Sequence, residues 1–151
     1  MVRGFDLQDL ESEHDYIQWL FPLEARSAFN SVAPTLTPAT IAAFRGDAAL
    51  RAELEASLVV MLLFYGLRVA ADPLRLRIDR SPDFPTRSRV WLSVGNHNYL
   101  RLTRILTSLR VLGLPDHSAV LLGQLELIAR TYPQLIGKTT LAFWRRAVNQ
   151  G

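Results

Sequence analysis

The stretch NHNYLRLTRILTSLRVLG, from Asn96 to Gly113, sets His97, Arg101, Arg104 and Ser108 at successive spacings of four, three and four. On a helix those spacings put the four side chains on one face. That face lies roughly opposite the stripe formed by Tyr99, Leu102, Ile105, Leu106, Leu109 and Leu112. Asn96 and Asn98 bracket the histidine, and with Asn96 as N-cap the first amides of the helix remain as donors. A histidine, two guanidinium forks and bare amides make an anion site, because the planar fork matches two oxygens of a carboxylate or phosphate. The same residues also have a structural reading. Asn96 caps, His97 bonds locally, and Arg101 and Arg104 pair with acids elsewhere in the chain. Both readings are open at this point. Trp91 before the helix and Trp144 near the end of the chain are positioned either to wall such a site or to fill the core.

Other chemistries find less support. His14, His97 and His117 fall on separate segments, and no HxxxH, HExxH or paired Cys/His spacing occurs, so no metal site is expected. The chain has no cysteine, which excludes disulfides and thiolate chemistry and fits a reducing compartment. No glycine-rich phosphate loop and no GxSxG elbow is present, and no cofactor is expected. The acids of the N-terminus (Asp6, Asp9, Glu11, Glu13) read as complements to a positive helix end rather than as an acid–base pair. His14, on an apolar stripe, reads as a buried histidine with an oxygen partner.

The elements that must position these residues are mostly helical. Leu7, Leu10, His14, Ile17 and Phe21 form one stripe of a helix stopped by Pro22. An irregular loop runs to Thr37, where Thr37-Pro38 starts a short helix ending near Phe44. Asp47 caps a longer helix, apolar nearly all round in its second half, which places it at the centre of the fold and ends it at Gly66. The alternation LRLRI (Leu74 to Ile78) suggests a strand, with VWLSV (Val90 to Val94) as its partner. The Asn96–Gly113 helix follows. A helix capped by Asp116 comes next, and a last one starts near Lys138 with Leu141, Trp144 and Val148 on one stripe. The expected fold is mainly α: a single-domain bundle of about six helices, with one short β-hairpin between helices three and four.

Length and charge agree with this. A chain of 151 residues removes roughly two-thirds of its unfolded surface from water. Its longest apolar run, Leu58 to Phe64, is far short of the ~20 residues that cross a bilayer, and no secretory signal opens the sequence. The chain reads as soluble and cytoplasmic. Residues 1–60 hold four Arg against nine acids, net −5, whereas residues 61–151 hold thirteen Arg plus Lys against five acids, net +8. Such asymmetry points to faces of opposite sign or to a basic surface for an anionic partner. Lys138 is the one lysine among seventeen basic residues, a bias read here as coding preference.

Several blocks resemble the conserved region of opioid growth factor receptors: HDYIQWLFPL (His14 to Leu23), FNSVAPTLT (Phe29 to Thr37), MLLFYGLR (Met61 to Arg68), NHNYLRLTRIL (Asn96 to Leu106) and FWRRA (Phe143 to Ala147). The resemblance runs from about Leu10 to Ala147. It implies a soluble, mostly helical domain unrelated to seven-helix opioid receptors, whose vertebrate relatives bind the enkephalin pentapeptide, associate with the nucleus and restrain proliferation. The sequence stops at Gly151 without the downstream repeats or long basic cluster of those relatives, and reads as a stand-alone domain. No catalytic residues follow from the resemblance. The leading expectation is therefore a non-enzymatic domain that binds a short peptide or small anionic ligand. Asp15 or Glu13 would take the ligand's ammonium, Arg101 and Arg104 its carboxylate, and Tyr16, Trp19, Trp91 and Trp144 its side chains. Two alternatives stand beside it. One is nucleic-acid or phosphate-ligand binding through the arginines of residues 75–110. The other is an enzyme on a small anionic metabolite, with His97 as acid–base.

Overall fold

The computed structural model describes Phe21 and residues 36–150, and it is mainly helical. Helix α1 (Pro38–Gly46) starts as its sequence dictates: the Thr37 hydroxyl accepts from the Thr40 amide at 3.2 Å, and Pro38 occupies the first turn. Asp47 then caps α2 (Ala48–Tyr65), accepting from the amides of Ala49 and Leu50. Helix α2 buries Leu54, Leu58, Met61, Leu62, Phe64 and Tyr65 and stops at Gly66, whose φ is +77°. A Cβ there would lie 2.7 Å from the Phe84 Cα, so conformation and space both require glycine.

Strands β1 (Leu67–Val69) and β2 (Ile78–Arg80) pair antiparallel, with Leu67 opposite Arg80 and Val69 opposite Ile78. The hairpin lies between the predicted third and fourth helices, but its strands are not those expected. Leu74–Arg77 forms the connecting arm, and Val90 and Trp91 end a helix, α3 (Phe84–Trp91). The reason is visible in the side chains. Phe84 and Trp91 are buried at i and i+7, a helical spacing that the alternation in VWLSV obscures, and Pro85 sits in the first turn.

Helix α4 (Asn98–Val111) packs against both α5 (Pro115–Thr131) and α6 (Lys138–Asn149), which also pack against each other. Gly113, at φ +96°, closes α4 while the Leu114 amide reaches back to the Leu109 carbonyl at 2.8 Å. Asp116 does not cap α5: Leu114 holds the cap position without a side-chain bond, and Asp116 lies in the first turn. One contiguous apolar core joins the α4–α6 layer to α2, α3 and the hairpin. The predicted first helix and the loop after it, including His14, lie outside the described residues, apart from the fully buried Phe21 and the loop's end at Leu36 and Thr37.

Candidate functional site

The start of α4 is held by a chain of side-chain hydrogen bonds. Asn96 Oδ1 accepts from the Asn98 amide (2.9 Å) and the Asn98 side-chain amide (3.0 Å). Asn96 Nδ2 donates to the Val90 carbonyl and the Ser93 hydroxyl, which ties the end of α3 to the start of α4. Asn96 thus does the work of a cap although helical geometry begins at Asn98, with His97 in the cap position. Asn98 Oδ1 in turn accepts from the Tyr65 hydroxyl and from Arg101 Nη1, each at 3.3 Å. Asn98 is fully buried and Arg101 is 6% exposed. Arg104, half-buried, donates from Nε to the Phe21 carbonyl, and burial draws its pKa below the ordinary guanidinium value.

So the structure brings Asn96, Asn98 and Arg101 together, but not on an open face. The face bearing Arg101, Arg104 and Ser108 was expected opposite the leucine stripe and is instead largely covered, with the Ser108 hydroxyl buried and making no hydrogen bond. Helix α4 is central, with α5 and α6 on one side and Tyr65 and Phe21 on the other, so little of its circumference meets water. His97 alone of the four is exposed, and His97, Asn98, Arg101 and Arg104 are all engaged in contacts. Trp91 and Trp144 are fully buried. Their indole N–H groups donate to the Tyr65 and Tyr99 carbonyls, both at 3.1 Å. They belong to an edge-to-face ladder running Phe64, Tyr65, Trp91, Tyr99, Trp144 with centroid separations of 5.0, 5.3, 6.4 and 5.7 Å. Both tryptophans are core. Asp15, Tyr16 and Trp19 lie outside the described residues.

Four further arginines show where guanidinium chemistry goes in this fold. Arg45 Nε donates to the Val111 carbonyl at 2.9 Å, Arg87 Nε to Phe64 at 2.8 Å, and Arg110 Nε to Ala147 at 2.7 Å. Arg51 Nη1 donates to the carbonyls of Phe44 and Arg45. Every one of these acceptors lies in the last turn of a helix, where carbonyls lack intrahelical partners and the dipole favours a cation. Arg87 also stacks on the Phe64 ring at 5.0 Å. These arginines therefore have a structural use. A flat guanidinium reaches a carbonyl through Nε while its plane packs, and an ammonium does not.

The open arginines are elsewhere. Between the arm and β2 on one side and α5 on the other runs a groove of about 540 Å³, lined among others by Arg75, Arg77, Val120, Gly123, Leu127 and Arg130. The Arg75 and Arg77 side chains are 71% and 45% exposed. Arg77 forks onto Asp79 with three contacts of 3.0–3.2 Å, a bond that raises its pKa further. Asp72 lies 3.7 Å from Arg75 and 3.5 Å from Arg77. Arg130 is exposed in the last turn of α5, and among the described residues the groove lining carries three arginines against one aspartate, Asp79. Leu127 is 48% exposed. The Gln124 amide donates to the Ile78 carbonyl at 3.1 Å and fixes the two walls together.

Periodicity did not single out Gly123 or Arg130. The signal available was the glycine itself, within an otherwise strong helical run (LLGQLEL). His117 lies in the first turn of α5, with Nε2 buried and 3.6 Å from Glu55 Oε1, too long for a hydrogen bond. Among the described residues no group of three His, Cys, Asp or Glu side chains is placed to hold a metal ion, and no helix is long and apolar enough to cross a membrane.

Comparison with known proteins gives a consistent answer. Residues 4–150 match the family described as the Opioid growth factor receptor (OGFr) conserved region. The chain is 39% identical over 118 residues to the opioid growth factor receptor of Mus musculus, covering 78% of this chain and 18% of that one. To opioid growth factor receptor-like protein 1 of Xenopus tropicalis it is 33% identical over 133 residues, covering 86% of this chain and 25% of that one. The chain thus spans a quarter or less of the length of these two relatives. No solved structure matches it.

Proposed function

The chain belongs to the opioid growth factor receptor family, and from that membership and the open groove we propose a non-enzymatic binding domain for a short peptide or small anionic ligand. The relatives are named as receptors, which supports a receptor-like role for this stretch. The observation that carries the proposal is the groove between the arm and α5. Exposed guanidinium groups of Arg75 and Arg130 stand over an apolar floor of Val120 and Leu127. Ligand sites combine apolar lining with a few orienting polar groups in this way. Of the described lining residues none is aromatic. Stacking on aromatic rings supplies much of single-stranded nucleic-acid binding, so the groove favours a peptide or small anion over nucleic acid. Residues 1–151 acting as one folded unit in the cytoplasm is part of the same proposal, in keeping with a cysteine-free chain.

The test is thermal melting of the chain against a library of small carboxylates, phosphates and short peptides, since a ligand bound only by the native state raises the melting temperature. At a hundredfold excess over Kd the stabilisation is about 2.7 kcal/mol, and Arg130→Ala should remove most of it. A library that leaves the melting temperature unchanged throughout contradicts the proposal.

A further inference from the structure

Gly123 sits in the interior of the 17-residue helix α5, where glycine is costly relative to alanine because it adds backbone freedom to the unfolded chain. Among the described residues nothing offsets that cost. A Cβ built at Gly123 meets nothing within 4 Å, and the residue is helical, without positive φ. The contrast with Gly66 and Gly113 is direct, because a Cβ at either would lie 3.1 Å or less from a neighbour and both take φ near +77° or +96°. Gly123 is instead on the floor of the arginine groove, between Val120 and Leu127 on one helix face. A missing side chain there deepens the groove and lets something approach the backbone closely.

Resting on the reading of this groove as a binding site, we infer that it takes an extended acidic peptide whose main chain passes over Gly123. Its side-chain carboxylates meet Arg75 and Arg130, and an aliphatic side chain lies against Leu127 and Val120. Charge selects the occupant: the lining is net positive, and Arg77 is already forked onto Asp79, which leaves Arg75 and Arg130 as the two guanidinium groups least committed to protein acids. Side chains two apart share a face of an extended chain, so carboxylates at i and i+4 with an aliphatic residue at i+2 match two cations beside apolar residues. A lone phosphate would leave the floor uncovered. Close approach to a glycine backbone is what an extended main chain requires.

The probe is a fluorescein-labelled pool of acetylated, amidated hexapeptides with glutamate at the first and fifth positions, randomised Leu, Ile or Val at the third and serine elsewhere, set against the same pool with glutamine for glutamate. Fluorescence anisotropy should show binding of the glutamate pool and none of the glutamine pool. Gly123→Ala should raise the melting temperature by about 2–4 °C while weakening binding, and Gly123→Leu should weaken it about tenfold or more. A gain in stability joined to a loss of binding is a pattern that a purely structural glycine does not produce. Glutamate-pool binding that is unchanged in Gly123→Leu overturns the inference. So does failure of that pool to bind when another ligand from the melting screen does, and in that case the binding reading stands. If no ligand of any class stabilises the protein, the reading and the inference fall together.

Discussion

The beginning of α4 and the groove beside α5 both carry arginines, yet they use them in opposite ways. At α4, Arg101 is 6% exposed and bonded to a buried asparagine, and Arg104 is fastened to the Phe21 carbonyl. In the groove, the Arg75 side chain is 71% exposed and its nearest acid contact is a loose 3.7 Å. Residue type is the same in both places, and burial decides the role. A guanidinium taken out of water must spend its donors on protein acceptors or destabilise the fold. Arg75 and Arg130, left in water with no acid at hydrogen-bond distance among the described residues, keep theirs for a ligand. Half-buried Arg51, Arg87 and Arg110 are likewise spent on carbonyls at the end of a helix, and so is the exposed Arg45.

The largest expected effect calibrates the closed region. Leu106→Ala opens a cavity in the fully buried interior of α4 and should cost about 2–5 kcal/mol in urea unfolding. A loss under about 1 kcal/mol would mean that α4 is not central. A smaller effect comes from the helix-end arginines. Arg110→Ala removes a charged donor from the Ala147 carbonyl and should cost about 1–2 kcal/mol, within the range for charge-assisted bonds. Arg110→Lys should recover little, because an ammonium lacks the Nε geometry. Full rescue by lysine would show that charge alone matters there.

The helices were legible where caps and periodicity coincide. Thr37-Pro38, Asp47, Gly66 and Gly113 all mark helix ends as read. The hairpin was legible as an element but not in register. Arm and strand share the alternating arginines of RLRIDR, and only the pairing of Val69 with Ile78 decides which part is sheet. The cluster at Asn96, Asn98 and Arg101 was legible as a cluster, since helical spacing fixes neighbours. Its burial was not, because that depends on Tyr65 and Phe21, distant in sequence. The groove was the least visible. Its walls, Arg75 and Arg130, come from segments about fifty residues apart, and periodicity within one helix says nothing about what faces it.

Burial together with committed donors, not residue type, divides the arginines into those that hold the fold and those available to a ligand. Side-by-side urea unfolding of Arg101→Ala and Arg130→Ala, without ligand, tests it most directly. Arg101→Ala removes one of the donors to the Asn98 oxygen and empties a buried site, so it should lose about 2–3 kcal/mol. Arg130→Ala should stay within about 0.5 kcal/mol of the parent. Equal losses in the two variants, or a larger loss for Arg130→Ala, would mean that Arg130 holds the fold as Arg101 does.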